Sequence, residues 1–186
     1  MSTSTTKWVL DPTHSEIGFK IKHLMITNVS GNFNKFDVKA ETNGDDFSNA
    51  KVSADIEVDS INTNNAQRDV HLRAADFFEA EKHPHITFRS TGIQKLDEET
   101  YTLTGDLTIK ETTKPVKLAL EFGGVSKDPF GNYKAGFSIS GRINRHDFGV
   151  SYNAVLETGG VALGEEIKIH GEIQLVKQEI LEQVAA

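Results

Sequence analysis

Long runs of strict apolar–polar alternation leave this chain few folds to choose from. Tyr101, Leu103, Gly105, Leu107 and Ile109 alternate with Thr102, Thr104, Asp106 and Thr108. The same beat runs through Val52, Ala54, Ile56 and Val58, and through Val116, Leu118, Leu120 and Phe122. It returns at Ala135, Phe137, Ile139, Gly141 and Ile143, and at Ile167, Ile169, Gly171, Ile173 and Leu175. Successive side chains of a strand point to opposite faces, so each run predicts a strand buried on one face. Ile17, Phe19 and Ile21 mark another over 16–22, and 86–96 carries one that starts at Ile86. Residues 29–41 read as one long bent strand, and Trp8-Val9-Leu10 as a short one broken at Asp11-Pro12. Asn43-Gly44, Asp97-Glu98-Glu99 and Asp128-Pro129-Phe130-Gly131-Asn132 supply turns.

About eight long strands joined by such turns predict an antiparallel meander. A two-layer sandwich would bury the apolar faces. A closed barrel would also remove the exposed edges, and eight strands enclose room for one small ligand. Gly18, Gly105, Gly136 and Gly141 lie inside strands, where glycine weakens the ladder unless curvature or a close neighbour requires it. That favours a strongly coiled, eight-stranded antiparallel all-β barrel.

One stretch breaks the pattern. Asn64 is suited to cap a helix with its side-chain oxygen, and Gln67 stands where a capping-box partner belongs. The stretch predicts one short helix near 64–75, ended before Pro84. It has little amphipathic character of its own. Leu72, Phe77 and Phe78 would face the interior of the β-structure, making the segment a lid or plug.

A length of 186 residues suits one domain able to bury a core without staples. Residues 1–7 read as a disordered start, 8–177 as the barrel, and 178–186 as a tail that could extend as a short helix. The chain has no cysteine, which leaves out disulfides and thiolate chemistry. The net charge is −7 and the basic residues are scattered, which argues against a nucleic-acid partner. No run is apolar enough to span a membrane. The first residues lack the apolar stretch of a secretory signal, so the expectation is a cytoplasmic protein.

Several stretches, taken together and in order, resemble the YceI-like family of lipocalin-like polyisoprenoid-binding proteins. They are Trp8 to Ser15, Phe19 to His23, Gly31-Asn32-Phe33 with Phe36, and Ser60 to Asn64 with Arg68 to Leu72. They continue through Asp76-Phe77-Phe78, His83 to Phe88, Gly105 to Lys110, and Asn144 to Val150. Where the family has a Gly after the Leu-Thr-Ile-Lys run, this chain has Glu111, a loop variation. The resemblance implies an eight-stranded barrel with a packed helix, a long apolar pore holding an isoprenoid or other long amphiphile, and often a homodimer.

With that pore in view, the inward set is Phe19, Ile21, Phe33, Val38, Ile56, Leu103, Leu107, Leu118, Leu120, Phe137, Ile139, Ile169 and Ile173. Phe77 and Phe78 would close one end. Arg68 and His71, on one face of the helix, would meet a headgroup at the mouth. A filled core is the simplest use of such alternation. A long aliphatic ligand needs little else, since each buried methylene contributes about 0.8 kcal/mol.

Other constellations have plainer readings. His71, His83 and His85 are metal-ligand types, but Pro84 makes a rigid strand entry and no carboxylate forms a tight motif with them. No metal or cofactor is expected. Arg68, Asp69 and His71 are candidate acid/base groups, or a polar network tying the helix to the rim. Asn144-Arg145-His146-Asp147 reads as another polar corner. Asp11, His14 and Ser15 superficially offer a nucleophile set, but no elbow motif accompanies them and capping of the turn after Pro12 explains them. The expected function is a lipid carrier or storage protein. The alternatives are an enzyme acting on an isoprenoid or quinone precursor, and a ligand-free structural or stress protein.

Overall fold

A computed structural model describes residues 5–157 and 159–178. The strands are β1 (Thr5–Leu10), β2 (Glu16–His23), β3 (Thr27–Phe33), β4 (Phe36–Asn43), β5 (Asp46–Glu57) and β6 (Ile61–Asn62). The helix α1 (Ala66–Arg73) follows. Then come β7 (His85–Lys95), β8 (Thr100–Ile109), β9 (Thr112–Lys127), β10 (Tyr133–Asn144) and β11 (Leu163–Lys177). All pairings are antiparallel.

The ladder runs β1-β4-β5-β7-β8-β9-β10-β11 and returns from β11 to β1, which closes an eight-stranded barrel. The sandwich is thereby set aside. Leu175 to Lys177 of β11 pair with β1, whereas residues between Leu163 and Glu172 pair with β2. β1 and β2 are two halves of one strand, parted where Pro12 opens a single 3-10 turn capped by Asp11. The next strand breaks in step: β3 pairs with β2, and β4 with β1. The long bent strand expected over 29–41 is therefore two strands meeting at Asn34-Lys35. A turn at Val58–Ser60 breaks the third, and β6 pairs with β3 alone. On its other side the chain enters α1, which packs on β6. The barrel thus has one closed end and one splayed end, with the helix at the splayed end.

The two ends differ in filling. At the closed end Trp8, Phe47, Phe122 and Phe137 form an aromatic cluster with ring centroids 4.9–5.4 Å apart. Trp8 is fully buried and its indole N–H donates to Thr42 Oγ1 at 2.8 Å, so the ring packs without stranding a donor. β8 shows the predicted alternation in full, with Tyr101, Leu103, Leu107 and Ile109 buried.

The strand glycines have separate causes. A Cβ at Gly105 would collide with the Phe88 ring and the Arg89 carbonyl, so the aromatic ring lies over bare backbone. Gly136 instead sits where the β9–β10 register shifts, with open space beside it. One expectation needs correction, at the first residues. Thr5 to Lys7 are not a disordered start: they pair with Asn43, Thr42 and Glu41 of β4, because the edge of β4 needs a partner. The helical tail expected over 178–186 falls, apart from Gln178, outside the described residues, and Gln178 itself donates its N–H to Lys7 O.

Candidate functional site: an apolar cavity at the splayed end

Breaking three adjacent strands parts β2, β3 and β6 from the closed ladder, and an apolar cavity of about 410 Å³ lies at this end. Ile17, Phe19 and Ile21 of β2, Val29 and Phe33 of β3, and Ile167 and Ile169 of β11 form one wall. Ile143 of β10, beside Ile167, and Leu107 and Ile109 of β8 and Ile86 of β7 also line it. Leu72, Phe77 and Phe78 close it from the helix side, and Phe148, Val150 and Tyr152 from the loop after β10. The polar and charged lining side chains are His23, Thr63, Arg68, His71, Arg145 and Tyr152. A larger groove of about 670 Å³ lies at the strand breaks, lined by Glu16, Asn34, Lys35, Asp37, Asp55, Glu57 and His85 among others. It is an open groove that mixes these polar groups with Leu10, Phe33 and Phe36.

Of the residues expected in the pore, Phe19, Ile21, Phe33, Ile56, Arg68, His71, Phe77, Phe78, Leu107 and Ile169 line the cavity. Val38, Leu103, Leu118, Leu120, Phe137, Ile139 and Ile173 do not. They belong to the packed core or lie against it, because the aromatic cluster fills the closed end. The pore is a chamber at one end of the barrel and not a tube along its length. Facing was read correctly for these side chains, and depth was not.

The helix is held by polar bonds more than by packing. Asn65, not Asn64, is its cap: the Asn65 side chain accepts from the Arg68 N–H at 3.0 Å. Asn64 has a left-handed backbone with φ of 61° and donates to Asn62 Oδ1, so it cannot serve. With the cap one residue later, Gln67 is no longer in the capping-box position. Asp69, buried, accepts from both the N–H and the hydroxyl of Thr63. Arg68 donates from Nε to Thr63 Oγ1 and from Nη2 to Thr63 O, each at 2.7 Å. Arg68 and Asp69 are therefore a network tying α1 to the rim. His71 Nε2 lies 2.8 Å from Asp76 Oδ2 and packs edge-on against Phe77 and Tyr152 at 5.0 Å. Val70 is 61% exposed, so the outer face of the helix carries no burial.

The corner at Asn144–Phe148 matters more to the cavity than its sequence suggested. Asn144 caps the 3-10 turn Arg145–Phe148, and Gly149 ends it with φ of 74°. This turns Phe148 and Arg145 inward, both almost wholly buried. Burial pulls the Arg145 guanidinium below its ordinary pKa range. Sequence reasoning placed neither residue in the site. The Arg-His-Asp-Phe-Gly run was visible, but an arginine inside an apolar wall has no periodic signature.

The remaining constellations are structural. The Ser15 hydroxyl bonds the backbone of Gln174 rather than His14, and the Asp11 side chain, not His14 or Ser15, caps the turn. Among the described residues no group of His, Cys, Asp and Glu is arranged to hold a metal ion. Among them, too, no helix is long and apolar enough to cross a membrane.

Known proteins share this arrangement. The family model described as YceI-like domain matches residues 8–175. A UPF0312 protein of Staphylococcus aureus strain N315 is 41% identical over 170 residues, covering 91% of this chain and 96% of its own. The crystal structure of the Campylobacter jejuni YCEI protein is 36% identical, covers 91% of this chain and 97% of its own, and superposes with a TM-score of 0.71. A polyisoprenoid binding domain from Saccharophagus degradans, 12% identical, shares the fold with a TM-score of 0.66 over 92% of this chain and 98% of its own.

Proposed function

The chain belongs to the YceI-like domain family, and from that premise we propose that it binds the chain of an isoprenoid or similar long amphiphile in the cavity beneath α1, as a carrier or storage protein. One observation carries the reading: a chamber of about 410 Å³ whose wall is mostly Ile, Val, Leu and Phe. A wall of this chemistry offers water few partners, whereas an aliphatic chain fills it favourably.

Arg68 and Asp69 are engaged by Thr63, which supports a structural role for these two in place of an acid/base one. A homodimer is part of the proposal, resting on the resemblance. Sedimentation that finds only a concentration-independent species near 20.5 kDa would remove that part.

The test is organic extraction of the purified protein followed by mass spectrometry, with a fluorescent long-chain probe titrated into the delipidated protein. A long-chain lipid in the extract, displaced by the probe, is the expected result. An empty extract together with no probe binding would favour the ligand-free structural reading.

A further inference from the structure

We propose that the cavity selects an amphiphile whose polar end is an oxyanion, a carboxylate or a phosphate, and that Arg145 receives it. This rests on reading the cavity as a lipid site and adds the chemistry of the lipid's polar end.

Arg145 is 3% exposed and lines the cavity. Its Nε donates to Gly164 O, and its Nη1 to Val150 O and Tyr152 O, each at 2.8 Å. Its Nη2 is buried and has no acceptor among the described residues. Two N–H groups of a desolvated cation are thus unanswered in a place where unpaired charge is costly. The acid whose field reaches the guanidinium, Glu165, is itself exposed and faces His146 at 3.9 Å. The cavity lining holds two arginines and no carboxylate, in a chain whose net charge is −7. The basic groups of the lining are thus not matched by a carboxylate within it.

Of the two arginines, Arg68 has its Nε and Nη2 occupied by Thr63. Arg68 is exposed and its remaining N–H groups can meet solvent, whereas the unpartnered Nη2 of Arg145 is buried. The carbonyls of Val150 and Tyr152 hold it beside Tyr152, which is 39% exposed and packs on Phe77 at 5.2 Å. The cation therefore lies just inside the rim. A headgroup oxygen would meet it there while the chain continues over Phe19 and Ile169. A guanidinium fixed in its plane by three carbonyls is pre-organised for charge-assisted bonding to an oxyanion. Idle, the same side chain only staples the 150–152 segment to β11.

The experiment titrates delipidated protein with hexadecanoate, hexadecyl phosphate, hexadecanol and hexadecylamine, read by displacement of a fluorescent long-chain probe. The two anions should bind roughly tenfold or more tightly than the alcohol, with the amine weakest. Comparing the two anions decides between a carboxylate and a phosphate source. Arg145→Met should bring acid and alcohol to equal affinity. Arg142→Gln, an exposed arginine near the end of β10 paired with Glu166, should leave the ratio as in the wild type. Should Arg145→Met fail to fold, Arg68→Met takes its place: the wild-type preference for anions should survive there, and its loss overturns the proposal. Equal affinity of wild type for acid and alcohol overturns the proposal and leaves the lipid reading intact, as does a preference for anions that survives in folded Arg145→Met. If the probe and all four ligands fail to bind, the lipid reading itself falls.

Discussion

Lys134 donates from Nζ to Asp11 Oδ2 across 2.7 Å, tying β10 to the point where the first strand breaks. Asp11 also accepts from the Thr13 N–H and hydroxyl and lies 2.8 Å from His14 Nδ1. The ammonium of Lys134 beside it holds the Asp11 carboxyl far below the usual carboxylate range, against the opposing effect of burial. A depressed folded-state pKa means that the unfolded chain takes up the proton first as pH falls. The contribution to stability is complete above the ordinary carboxylate pKa of about 3.9 and drains away as pH falls below it toward the folded value. Asp11→Asn should therefore cost about 1–3 kcal/mol at pH 7. The gap between variant and wild type should narrow below about pH 4. Denaturant midpoints at pH 7 and pH 3 check this, and an equal gap at both would show that the ion pair contributes nothing.

Thr63 serves both Asp69 and Arg68, so one hydroxyl holds the helix to the rim. Thr63→Val keeps the shape and removes the hydroxyl, leaving a buried carboxylate short of a donor and the Arg68 Nε without its acceptor. A loss of about 1–3 kcal/mol follows. It should appear first as faster amide exchange in Ala66–Arg73, since a helix of this length relies on docking for its stability. Thr63→Ser should restore protection. Unchanged exchange in Thr63→Val would mean that packing alone holds the helix.

Phe137 and Phe78 should behave oppositely, although both were expected to line one pore. Phe137 stacks on Phe122 with centroids 4.9 Å apart in the filled end. Its replacement by Ala should cost about 3–5 kcal/mol and leave lipid release unchanged. Phe78 meets Phe33 edge-on at 6.3 Å on the cavity wall and is only half-buried. Phe78→Ala should cost less stability and speed the release of a fluorescent lipid. Melting temperature and stopped-flow release, measured on both variants, test the contrast. Equal destabilisation with unchanged release in Phe78→Ala would make the segment a plug and not a gate.

Gly105→Ala should be among the most damaging single-methyl additions. The new Cβ would strike the Phe88 ring and, at 2.6 Å, the Arg89 carbonyl oxygen, and a backbone atom cannot turn aside as a side chain can. A loss of about 1–3 kcal/mol is expected from the overpacking. Gly136→Ala, where nothing lies within 4 Å, is the matched control and should cost less. Thermal unfolding of the pair decides.

The strand pattern was legible in the sequence because facing is a local property. In Tyr101–Ile109 each inward residue is named by its neighbours, and the structure buries that same set. Phe19, Ile21 and Ile169 were readable as inward for the same reason. Neither Phe137 nor Phe19 carries a local mark of whether its face meets a packed ring or an open chamber. That depends on Trp8, Phe47 and Phe122 converging at one end from three separate strands. The helix cap at Asn65 was missed by one residue because Asn64 and Asn65 have the same capping chemistry. Only the left-handed backbone at Asn64 separates them.

By itself the sequence determined the strands, their facing, the closed-barrel class, the lone helix and the family. Each follows from short-range periodicity or from residues taken in order. The tertiary structure alone decided where the barrel stays hollow. Three strands break in register at Asp11-Pro12, Asn34-Lys35 and Val58–Ser60, and β2, β3 and β6 splay together. The chamber and the buried Arg145 exist only through that agreement between distant breaks. Volume left unfilled is a property of all the walls at once, and no stretch of chain carries it.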